Sequence, residues 1–90
     1  MPNSKLIDNT MLHMLIEDMY EAMDYLDRHL DTISFVDMHE MIAMIEGIAW
    51  QIKKFVTEET KVTVNSALVN WSQLKIKTQR ALMNSRVVLC

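Results

Sequence analysis

The chain has 90 residues, is half apolar but only 7% aromatic, carries nine methionines and has a net charge of −3. With a single Gly, and its single Pro at position 2, it is too poor in turn-formers for a β-sandwich or barrel, and its charge and apolar content exclude disordered and collagen-like classes. One Cys, at position 90, allows neither an internal disulfide framework nor a cysteine-based zinc site within one chain. A single all-α domain of residues 1–90 is therefore expected, one helical hairpin followed by a third helix.

The first helix is predicted over residues 6–31. Leu12, Leu15, Ile16, Met19, Ala22, Met23, Leu26 and Leu30 recur at three- and four-residue steps and form one apolar face. The opposite face carries Glu17, Glu21, Asp24, Asp27 and Asp31. A turn follows at residues 31–33, because Ser34 has the character of an N-cap, with Asp37 at N3 in a variant capping box. Ile33 and Met38 bracket that cap with the spacing of a hydrophobic staple. A connection this short makes the first two helices antiparallel neighbours.

The second helix is predicted over residues 35–56. Its main stripe is Met38, Met41, Ile42, Ile45, Ile48, Ala49, Ile52, Phe55 and Val56. A second apolar face, Val36, Ala43, Gly47 and Trp50, falls within about 60° on the opposite side of the wheel. Burial on both sides is expected of such a helix, and Gly47 suggests a close backbone approach. A break is expected around residues 57–63, where Thr57 with Glu58 and Glu59 could open a new helix or Thr60 or Thr63 could cap one. A short extended piece over residues 60–64 and a continuous or bent helix are the alternatives.

The third helix is predicted over residues 64–84. Val64, Ala67, Leu68, Trp71, Leu74, Ala81 and Leu82 make its main seam, interrupted by Thr78. Val62, Val69, Ile76 and Met83 repeat every seven residues on another face, the coiled-coil period. One layer of three helices cannot bury every apolar face, so an oligomeric helical bundle, most simply a two-fold homodimer, is expected. Its interface would use Val36, Ala43, Gly47, Trp50, Val69, Ile76 and Met83.

Charge divides along the chain. Residues 1–46 hold ten acids against two bases, and residues 47–90 hold two acids against seven bases. Two solvated faces of complementary sign account for this, within one chain or between antiparallel subunits. Lys75, Lys77, Arg80 and Arg86 point in several directions and form no phosphate-reading stripe. Nucleic-acid binding through a third helix presenting Gln73, Lys77, Arg80 and Asn84 is the alternative function. The acidic face of the first helix matches the charge spacing of DNA only loosely.

No catalytic, cofactor or metal site is expected. No Glu-x-x-His or His-x-x-x-His occurs around His13, His29 or His39, although the hairpin could set His39 opposite His13 and Glu17. No serine has a Gly-rich elbow, and one Gly cannot build a phosphate loop. The start of the chain lacks the apolar run of a secretory signal, no stretch is long enough to span a bilayer, and Cys90 is misplaced for prenylation. A cytoplasmic, non-enzymatic protein-interaction module is the expectation: an adaptor, inhibitor or regulator that dimerises through its helices and docks on a partner protein. Met11, Met14, Met19, Met23, Met38, Met41 and Met44 cluster in the first two helices as core filler, with an adaptable binding surface as the other use of such residues.

Overall fold

The computed structural model describes the backbone of residues 2–89 and the side chains of residues 10–83. The side chains of Asn84 and Arg86, the terminal Cys90 and the side chains of the first nine residues, read for a leader, therefore lie outside it. Three helices pack together, α1 (Pro2–Arg28), α2 (Phe35–Lys53) and α3 (Lys61–Leu89), and the described residues contain no strand. The helices hold 75 of the 90 residues, against which the two connections are short.

Each helix buries the face that its periodicity marks. Leu12, Ile16, Met19, Ala22, Met23 and Leu26 of α1 meet Met38, Ile45, Ala49 and Ile52 of α2, and Val64, Ala67, Trp71 and Leu74 of α3 complete one core. Leu15, Leu30, Met41, Ile42, Ile48, Phe55, Leu68 and Leu82 pack against its edge half-buried. Val56, assigned to the main stripe of α2, is instead exposed, because the helix ends before it.

The hairpin turn is longer than residues 31–33, since α1 ends at Arg28. The amides of Thr32 and Ile33 converge on the His29 carbonyl at 3.0 and 2.8 Å, and the Thr32 hydroxyl reaches the same oxygen at 3.4 Å. That competition for one carbonyl turns the chain before Asp31 can join the helix. Ser34 then caps α2: its Oγ accepts from the Asp37 amide at 3.1 Å, and its carbonyl takes the first helical bond, from the Met38 amide at 2.9 Å. Ile33 and Met38, the staple pair, both pack on the core.

The second connection is built from threonines. The last turn of α2 tightens, with the Lys54 and Phe55 amides each donating three residues back at 3.1 Å. The Thr57 amide donates to Thr60 Oγ1 at 2.8 Å, and the Thr60 amide donates to Thr57 Oγ1 at 3.2 Å. The Thr60 hydroxyl donates to the Phe55 carbonyl at 3.0 Å. Thr60 occupies the position before α3, and its carbonyl receives the Val64 amide at 2.9 Å. Its side chain turns back toward α2 instead of capping forward, and α3 begins at Lys61, earlier than residue 64.

The molecule is a rod. Its extents are 59 × 19 × 17 Å and its radius of gyration is 15.5 Å, against about 12 Å for a compact chain of this length. The cause is stagger. Tyr20 meets Asn70 and Asp27 meets Lys77, so residues of α1 lie beside residues of α3 fifty positions later, and the two helices run parallel. At about 1.5 Å per residue, this register leaves the start of α1 beyond one end of the bundle and the last turns of α3 beyond the other.

Candidate interaction surface

The second apolar face of α2 and the heptad seam of α3 both stand outside the core. Val36 is 66% exposed, Trp50 63%, Val69 54%, Ile76 52% and Met83 66%. Ala43 and Gly47 are exposed as well, so all seven residues read as an interface face outward within one chain. The expectation that α2 is buried on two sides fails for the single chain, because α1 and α3 both pack against its main stripe. The close approach suspected at Gly47 is also absent from this chain: a Cβ built there would meet nothing within 4 Å.

One of these seven residues, Ile76, also lines a groove between α2 and α3. Ile42 and Glu46 of α2 and Ser72, Lys75, Ile76 and Gln79 of α3 line a hollow of about 430 Å³, bridged by a 3.0 Å ion pair between Lys75 and Glu46. Ile76 is thus brought alongside α2. Farther along, the Lys53 ammonium lies 5.9 Å from the centre of the Trp50 ring, close enough for a weak cation–π contact.

A second groove, between α1 and α3, is polar. The Asn70 amide donates to the Tyr20 hydroxyl at 2.9 Å, and Lys77 holds Asp27 at 2.6 Å. Cations of α3 thereby meet carboxylates of α1 and α2 within one chain, which is the complementarity that the charge division suggests. Both pairs are partly solvated, and each contributes at most about 1 kcal/mol. They also occupy Lys75 and Lys77, two of the cations available to a nucleic acid, while Gln73 and Arg80 remain exposed.

The third groove, between α1 and α2 beside the hairpin turn, was not legible in the sequence. Tyr25, Ile33, Met41 and Met44 line about 400 Å³, with Asp37 and Glu40 at its edge. The clustering of methionines was its only signal, and the structure divides them. Met19, Met23 and Met38 are buried, Met41 is half-buried, and Met11, Met14 and Met44 are exposed.

Among the described residues no three His, Cys, Asp or Glu side chains converge as metal ligands, so His13, Glu17 and His39 are not brought together. His29 instead packs its ring against Tyr25, 4.4 Å between centroids. Among the described residues no helix is long and apolar enough to cross a membrane. No family model, curated protein or solved structure matches the chain.

Proposed function

We propose that this chain is a small non-enzymatic protein-interaction module, an adaptor, inhibitor or regulator, that pairs with a second copy through the outer faces of α2 and α3 and docks on a partner protein. One observation carries this reading: the core closes while Val36, Trp50, Val69, Ile76 and Met83 stay outside it, each more than half exposed. The area available supports it. The chain exposes 6740 Å², whereas a folded monomer of this mass exposes about 5,400 Å². The excess exceeds the roughly 800 Å² per partner that a standard stable interface covers. Large apolar side chains contribute about 1.5–3 kcal/mol each on burial, so several together offset the entropy of association.

The seven-residue recurrence of Val62, Val69, Ile76 and Met83 suits pairing along α3, where two copies would meet knobs-into-holes. Trp50→Glu combined with Ile76→Glu tests the assignment. Both residues lie outside the core, so helical circular dichroism should persist while the mass measured by light scattering falls to that of one chain. An unchanged assembly in the double variant would exclude these faces as the contact.

A further inference from the structure

The groove between α1 and α2 differs from the other two in one respect. Those two are each spanned by a lysine of α3 held on a carboxylate, Lys77 on Asp27 and Lys75 on Glu46. This one also has carboxylates, Asp37 and Glu40, yet among the described residues neither takes part in an ion pair. Its floor is apolar: Tyr25 is 53% exposed and Met44 48%, with Ile33 and Met41 half-buried beside them. We infer that this groove is the docking site for an amphipathic helix of a different protein, apolar on one face and carrying Lys or Arg along its edge.

The groove's dimensions and chemistry define that helix. Along α2 the lining runs from Asp37 to Met44, about 10 Å or two helical turns. Apolar anchors spaced i, i+3 or i+4, and i+7 would lie on Tyr25, Met41 and Met44, and flexible thioethers reshape to fit them. Flanking cations would meet Asp37 and Glu40 and play the part that lysines of α3 play in the other grooves. The docked helix would be the fourth of a bundle.

A second copy of this chain does not fit the role. Its only basic helix is α3, whose outer face points away from the α1/α2 groove of its own bundle. A copy docked by that face would offer its own groove to a third copy, and such head-to-tail contacts do not close into a dimer. Glu40 borders the outer face of α2, about one turn from Val36 and from Ala43, while Tyr25, Met41 and Met44 lie to one side of that face. The inference rests on reading the chain as an interaction module but not on the dimer.

The test is fluorescence anisotropy with the full chain and a labelled amphipathic helix of Leu and Lys, about 14 residues long, at physiological salt. A helix of Leu and Glu with the same pattern is the control. The Leu/Lys probe should bind and the Leu/Glu probe should not. Affinity should fall at least about tenfold when the floor is removed (Tyr25→Ser with Met44→Ser). The same loss is expected when the floor stays and the carboxylates go (Asp37→Asn with Glu40→Gln). Met44→Ser alone, at a half-exposed side chain, gives a milder version of the first change should the double variant fold poorly. The Trp50→Glu and Ile76→Glu variant should bind at least as tightly as the wild type, which separates this site from the dimer faces. Equal binding of both probes would overturn the inference, as would loss confined to the carboxylate variant, which signifies attraction to negative charge alone. Loss in the Trp50/Ile76 variant would place the probe on the outer faces and overturn it too.

Discussion

Thr78 is the buried polar residue in the seam of α3, fully shielded among apolar neighbours. Its hydroxyl lies 3.0 Å from the Leu74 carbonyl and 2.8 Å from that of Lys75, so the helix itself satisfies it. Both carbonyls belong to the helical ladder and keep main-chain partners if the hydroxyl is removed. Thr78→Val should therefore leave the urea midpoint unchanged or raise it, by up to about 1 kcal/mol of stability. A loss of more than that would show that the hydroxyl is a needed partner. Ser34 is the opposite case. Its Oγ is the acceptor for the Asp37 amide at the start of α2, and Ser34→Ala should cost about 0.5–2 kcal/mol in the same titration. An unmoved midpoint would mean that the cap contributes nothing. Trp71 is also buried, and its indole N–H has no partner among the described residues, a cost of about 1–3 kcal/mol that the burial of its large ring offsets.

At the scale of elements, α2 carries the most informative position. Gly47 sits in mid-helix, without positive φ, and a Cβ there would enter open space. Gly47→Ala should stabilise the isolated chain by about 0.8–1 kcal/mol through helix propensity. A destabilised monomer in thermal unfolding at high dilution would contradict this. The helices and their core faces were legible because apolar spacing dictates which side of a helix leaves water, and Leu12 to Leu26, Met38 to Ile52 and Val64 to Leu74 follow that rule. The start of α2 was legible because Ser34 and Asp37 form a local signal that needs no tertiary partner. The connection at 57–60 was legible only as a break. Its geometry depends on which of several threonine hydroxyls bonds which backbone group, and Thr60 turned back to Phe55 instead of forward. The outer faces were legible as residues left over from the core. The α1/α2 groove was not, because it depends on how Tyr25 and Met44, on different helices, are brought side by side.

For the whole molecule, stagger and unpartnered surface are linked. Parallel α1 and α3 are staggered by about nine residues, roughly 13 Å, which extends the rod, and a single layer of three helices along it leaves apolar faces on α2 and α3 with nothing of their own chain to cover them. A second copy laid along those faces would bring the assembly nearer to the surface-to-volume ratio of a stable domain. The opposite net charges of the two halves of the chain do not drive this pairing strongly, because Asp27 and Glu46 already hold Lys77 and Lys75 within one bundle. Burial of apolar surface would drive it, and high salt should leave it intact. Sedimentation equilibrium of the wild-type chain at micromolar concentration tests this most directly. A species of twice the 10.5 kDa chain mass, dissociating only on dilution, is the expected result; a single species of 10.5 kDa across the concentration range would contradict the pairing.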